Sequence, residues 1–250
     1  MEVVRTLGIG IAGFTAIFSA SFGLAELVAP KATLSMFRAP TAPMNIFRCT
    51  VRGAATTAYG VAMMATILAQ APFPVAVASS LIPWAVHSVG CVWKDVTPTL
   101  GIPKSGYFMP LLLGPVIGYL CMTAEPSVAH AVANAFAGFI ALNGTTLLLT
   151  PGLHVKAYGG PEKPNEDSLV AVSLRILGCR MLSYASFMLM VGAGVNPIRA
   201  VGASWIPIAV STGVVLFSDV TKKLKVPVAA ITGWIVPHLV IIAGTYLLSN

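Results

Sequence analysis

Apolar residues run in long unbroken stretches along this chain, separated by short polar connections rich in proline and basic residues. The stretches predict eight helices, over residues 6–29, 46–69, 75–93, 106–123, 128–149, 169–192, 199–217 and 228–248. Most reach the roughly 20 residues needed to cross a hydrocarbon core of about 30 Å. Hydrophobicity that is continuous rather than alternating argues against a transmembrane barrel.

The pattern also occurs twice. Phe18, Ala20, Gly23, Pro30 and Pro40 return 121 residues later as Phe139, Ala141, Gly144, Pro151 and Pro161. Arg48, Ala58 and Met63 return 127 later as Arg175, Ala185 and Met190, and Pro83, Asp95 and Pro103 return 124 later as Pro207, Asp219 and Pro227. The offset changes only where loops are expected. The fold class read from this is all-α: a polytopic membrane protein with eight transmembrane helices as two parallel tandem four-helix bundles, residues 1–124 and 125–250. Four is even, so both halves share one orientation about an axis along the membrane normal. The repeat also marks segment 6–29 as a span rather than a cleaved signal, because its partner, 128–149, lies mid-chain.

Composition agrees. Of 250 residues, 56% are hydrophobic and 9% charged, and the mean hydropathy is +0.85. A soluble domain carries about 25% charged residues, so polar surface is too scarce here to coat a water-exposed globule. Of the 15 basic residues, 13 fall in or beside the connections after segments one, three, five and seven; Arg5 and Arg199 lie on the other side. Short basic loops stay on the side of synthesis. Both termini are therefore expected on the lumenal, periplasmic or intermembrane side, with the basic loops on the cytoplasmic, stromal or matrix side. The net charge of +7 then reflects topogenesis and contact with anionic lipid heads, not nucleic-acid binding.

Within each half, proline closes the first helix and opens a long connection. In residues 30–45, Leu34, Met36 and Phe37 predict a short interfacial helix between Lys31 and Arg38. In the second half, residues 159–167 form the most polar stretch of the chain and a candidate contact for a soluble partner. Ala12, Ala16 and Ala20 line one helix face, and Ala133, Ala137 and Ala141 repeat it; such small faces let membrane helices approach closely. Pro83, Pro110, Pro115, Pro207 and Pro237 predict kinks. The four cysteines, Cys49, Cys91, Cys121 and Cys179, show no CxxC spacing, and neither a disulfide framework nor a metal site is expected.

The sharpest chemistry lies in duplicated charges. Arg48 opens segment two and Asp95 closes segment three on the same face; Arg175 and Asp219 repeat the arrangement. Each pair can brace helix ends, with Arg reaching water, or form a pocket for a headgroup, a carboxylate or a proton. Glu26 is unmatched, since Leu147 stands opposite, and near Arg48 or Arg52 it completes a charged cluster special to the first half. His87 and His238 lie inside apolar segments. Either can ligate a heme iron or the magnesium of chlorophyll, or hydrogen-bond a neighbouring helix. No phosphate loop, nucleophile elbow or paired-histidine metal motif occurs, so no catalytic residue is assigned.

A first helix ended by Pro30, Arg48 near the start of the second and Asp95 closing the third, repeated at Pro151, Arg175 and Asp219, resembles the small DoxX-like membrane proteins. The resemblance covers both halves and implies four-helix units; a tandem copy departs from the usual single unit. It carries no activity to this chain.

The functional expectation is a non-catalytic accessory or scaffold subunit of a larger membrane complex, in a bioenergetic organelle (thylakoid or mitochondrial inner membrane). Its partners would be membrane lipids and other integral membrane subunits, with chlorophyll or another pigment and structural lipids as candidate bound groups. The alternatives are a lipid or small-molecule binding or transport protein, and an enzyme acting on a membrane-soluble substrate. A scaffold needs no deep cavity, whereas a carrier needs one lined by both halves.

Overall fold

The computed structural model describes residues 2–93, 105–157, 169–223 and 228–248. All its regular structure is helical, with no strand among the described residues. Asp95 and the polar stretch 159–167 lie outside those residues.

Helix α1 (Glu2–Val28) stops just before Pro30, the first residue of the short α2 (Pro30–Met36). Proline at a helix start wastes no hydrogen bond, because its missing N–H is one of the unpaired donors there. The same device starts α3 (Pro43–Met63), which continues as one wider turn over Met64–Leu68. The third apolar segment is two helices, α4 (Phe73–Ser80) and α5 (Ile82–Trp93). The break at Leu81 falls just before Pro83, as expected of a residue that cannot donate to the preceding turn. Helix α6 (Ser105–Thr123) keeps both Pro110 and Pro115 inside it.

The second half repeats the plan. Helix α7 (Pro126–Leu149) ends before Pro151, which opens the short α8 (Pro151–Ala157). Then come α9 (Leu169–Gly192), α10 (Pro197–Leu216, with Pro207 inside), the four-residue α11 (Val220–Lys223), α12 (Val228–Thr232) and α13 (Ile235–Leu247). Residues 228–248, expected as one span, are thus divided at Gly233–Trp234, one turn before Pro237.

Among the described residues, five helical stretches are long and apolar enough to cross a membrane: Thr6–Val28, Phe73–Trp93, Pro126–Leu149, Val170–Gly192 and Pro197–Leu216. Pro110–Thr123 and Ile235–Leu247 are apolar but shorter. Helix α3 is less apolar because Asn45, Arg48 and Arg52 occupy its first half. The outward faces carry large apolar side chains such as Phe14, Ile17, Val86, Leu112, Leu142 and Val240. Water would not tolerate so much exposed apolar surface, and the arrangement is consistent with an integral membrane protein.

The halves interleave. Helices α3 and α9 pack against each other at the centre; α1 packs on α3 and α7 on α9. Each half's last helix leans on the other half's first, α6 on α7 and α13 on α1. The alanine faces do point inward: Ala12, Ala16, Ala133 and Ala137 are fully buried. The closest approaches use glycine. A Cβ on Gly53 would sit 2.6 Å from the Leu27 amide nitrogen and 2.7 Å from the Gly23 carbonyl; one on Gly178 would sit 2.6 Å from the Gly144 carbonyl. No such contact occurs at Gly114, around which the added Cβ would find open space.

These crossings pair the glycines of the two halves in a register different from that of the arginines. Gly23 and Gly144 are 121 apart, but Gly53 and Gly178 are 125 apart, not 127. Tyr59 and Tyr184 follow the same offset of 125. On that register Arg48 corresponds to Ser173, and Arg175 to Thr50. The two arginines are therefore not equivalent positions in the folded protein.

Two further polar contacts obey the repeat and tie the halves together. Ser204 donates to the Val201 carbonyl at 3.0 Å, so its oxygen is left to accept from Tyr59, at 2.6 Å. Ser80 donates to the Val77 carbonyl at 2.6 Å and accepts from Tyr184. Each tyrosine of one half thus reaches the serine of the other, and all four side chains are buried.

Candidate functional site

A cavity of about 480 Å³ lies between the halves, walled by α1, α3, α9, α10 and α13. That is within the range of small-molecule sites, about 300–1,000 Å³. Most of its wall is apolar and aromatic, including Phe18, Phe22, Ile208, Val215 and Trp234. On one side stand Met36, Phe37 and Arg38, all exposed, from the end of α2 and the turn after it. Gly233–Trp234, where the last apolar segment breaks, brings Trp234 and His238 onto the wall.

Three charged side chains meet inside. Glu26 Oε1 accepts from Arg52 Nε at 2.6 Å, and a second guanidinium nitrogen lies 2.5 Å from the same oxygen in the ion pair. Glu26 is 1% exposed, and its other oxygen, Oε2, is buried without a donor. Arg52 also points one N–H at the Cys49 sulfur, 3.8 Å away. Arg180, from α9, faces the same cavity; its guanidinium carbon lies 5.8 Å over the Phe22 ring. The Arg180 Nε is buried and has no acceptor.

The charge cluster expected around Glu26 therefore exists, and Arg52 rather than Arg48 completes it. Arg48 instead donates to the Asn45 side chain at 3.4 Å. Its expected partner, Asp95, is outside the described residues. Arg175 borders a separate shallow cleft with Phe217 and Ser218, and Asp219 is exposed. Neither duplicated arginine lines the central cavity.

His238 does line it, with both nitrogens engaged. Trp205 Nε1 can only donate, and it donates to His238 Nδ1 at 2.9 Å. The neutral ring then carries its proton on Nε2, which donates to Thr212 at 2.7 Å. No lone pair is left for a heme iron or a chlorophyll magnesium in this arrangement. His87 is on α5, away from the central cavity, with its ring 5.6 Å from that of Phe47 and its Nε2 3.5 Å from the Cys91 sulfur. The two histidine positions are thus separate, and neither combines with another His, Cys, Asp or Glu into a metal-holding group among the described residues.

Arg180 and Trp205 are the site residues that sequence reading passed over. Arg180 carried a usable signal: it sits near the middle of segment 169–192, where charge is costly and usually functional. Counting it with the basic loop ends hid that. Trp205 carried none, since one indole on an apolar helix looks like any other.

Compared with known proteins, the chain matches no family model, no curated protein and no solved structure. The site must be read from its own chemistry.

Proposed function

We propose that this chain is an integral membrane protein that binds an amphipathic small molecule or lipid in the cavity between its halves. The observation that carries this is a cavity of about 480 Å³ walled by both halves, with a buried charge cluster on an otherwise apolar lining. A scaffold subunit has no need to line a cavity with a guanidinium that has no carboxylate at ion-pair distance among the described residues, because burying charge without a close partner is expensive. Binding a ligand gives the arrangement a purpose. The residues are poorly suited to acid–base chemistry: Glu26 is committed to Arg52, and His238 is held by Trp205 and Thr212.

In this reading the apolar segments make eight spans, related as a parallel tandem repeat of residues 1–124 and 125–250. The termini lie opposite the basic loops. The exposed residues Met36, Phe37 and Arg38 then place the cavity's entrance at the basic face, beside the lipid headgroups. Membership of a larger organelle complex is a separate matter, supported only by the apolar exterior.

Extraction in mild detergent followed by mass spectrometry of bound small molecules tests the reading. Ser211→Trp places an indole on the cavity wall. The expected result is a stoichiometric amphiphile on the native protein that is lost in the Ser211→Trp variant. Equal retention by both, or migration only within a large assembly with no bound small molecule, overturns it.

A further inference from the structure

The charges inside the cavity do not balance. Glu26 and Arg52 form a neutral pair, and Arg180 adds a positive charge with no carboxylate at ion-pair distance among the described residues. Arginine cannot shed this charge by losing its proton. The nearby acid is already in use, since Glu26 Oε1 accepts from Arg52 Nε and is ion-paired with the same guanidinium. The contact of Arg180 with the Phe22 ring is weaker than an ion pair in a site shielded from water. The planar guanidinium of Arg180 lines the cavity, and such a group can grip an oxyanion through two parallel hydrogen bonds.

Resting on the binding reading above, we infer that the occupant is a single-headed amphiphile whose head is a singly charged oxyanion held by Arg180. A long-chain carboxylate fits this best. Its one charge matches the Arg180 guanidinium, the arginine on the inner wall that has no carboxylate at ion-pair distance among the described residues, while Arg38 stands at the exposed side of the cavity. Its tail would lie along Phe18, Phe22, Ile208, Val215 and Trp234, all on the cavity wall. The free Glu26 Oε2 repels a second negative charge, which disfavours a dianionic phosphate monoester.

Trp205 and Trp234 line the cavity and report on a quencher placed there. The purified full-length protein in dodecyl maltoside is titrated with dibromostearate, with its methyl ester, and with dibromostearate in competition with hexadecyl phosphate. Saturable quenching is expected for the acid, at least about tenfold weaker binding for the ester, and weaker competition by the phosphate than by unbrominated stearate. Arg180→Gln should weaken the acid by a similar factor and leave the ester unchanged, while Arg180→Lys, which keeps the charge but loses the planar fork, should fall between the native protein and Arg180→Gln. Stronger competition by the phosphate would overturn the preference for a carboxylate and keep the oxyanion. Equal binding of acid and ester would overturn the charged head while sparing the cavity reading. Absence of saturable quenching by either would overturn the cavity reading itself. The comparison of acid with ester on the native chain decides even if an Arg180 variant fails to fold.

Discussion

Glu26 and Arg52 depend on each other inside the bundle. With Arg52 replaced by leucine, the Glu26 carboxylate loses the hydrogen bond from Nε at 2.6 Å and the ion-pair contact at 2.5 Å and stays buried. Removing one partner of a buried pair costs about 3–5 kcal/mol, whereas replacing both with apolar residues of similar size is often close to neutral. Arg52→Leu should therefore lower the thermal midpoint in detergent sharply, and the double variant Glu26→Met/Arg52→Leu should recover most of it. Equal melting of Arg52→Leu and the native protein would show the pair to be mere surface decoration. At the same scale, one hydrogen-bond donor decides what His238 can do. Because the Trp205 indole only donates, the imidazole must accept at Nδ1 and hold its proton on Nε2. A histidine that looked like a ligand position becomes part of the cavity wall.

Helices in this bundle meet where side chains are absent. In a membrane, lipid tails compete equally for apolar side chains, so association rests on close van der Waals contact and on interhelical hydrogen bonds. Gly53 lets α1 and α3 touch backbone to backbone; even a methyl there would collide with the Leu27 nitrogen at 2.6 Å. Gly53→Ala should cost about 1–3 kcal/mol, the usual range for overpacking. Gly138→Ala is the matched control, because that glycine is exposed on α7 with nothing within 4 Å of the added carbon. It should be neutral or stabilising by up to about 1 kcal/mol, since alanine loses less backbone entropy in a helix. Thermal unfolding of both in one detergent separates the effects, and equal melting would show that the crossing can slide apart freely. Proline acts at this scale as well. Before Pro83 and Pro237 the chain breaks, whereas Pro207, Pro110 and Pro115 remain inside continuous helices. The second break brings Trp234 onto the cavity wall, so the kink expected at Pro237 shapes the site.

For the whole molecule, the notable contacts are the two reciprocal ones between halves. Tyr59 donates to Ser204 and Tyr184 donates to Ser80, and each serine passes its own proton to a valine carbonyl three residues earlier. Hydrogen bonds between membrane helices average about 0.6 kcal/mol and reach about 1.7. Tyr59→Phe and Tyr184→Phe should each cost an amount in that range, similar to one another because the contacts repeat, and nearly additive because they share no side chain. Chemical denaturation of the two single variants and the double variant measures this. Markedly unequal losses would mean that the repeat is preserved in shape but not in energy. Between these ties lies the cavity, so anything that shifts one half against the other changes the space available to a ligand.

Some of this is legible in the chain itself. Helical class, helices long and apolar enough to cross a membrane, the proline-started helices and the buried alanine faces follow from composition and periodicity, which act over a few neighbouring residues. The cluster around Glu26 was visible for a related reason: an unmatched acid in apolar sequence must find a cation. What only the tertiary structure decided is which cation, and in what register. Two residues along a helix turn a side chain by about 200°. The difference between offsets of 127 and 125 therefore moves a residue from one helix face to the other. It separates Arg48 from Arg175, aligns Tyr59 with Tyr184, and leaves Arg180 facing the cavity. Close glycine contacts, not the pattern of arginines, set that register, because backbones that touch allow almost no axial slip.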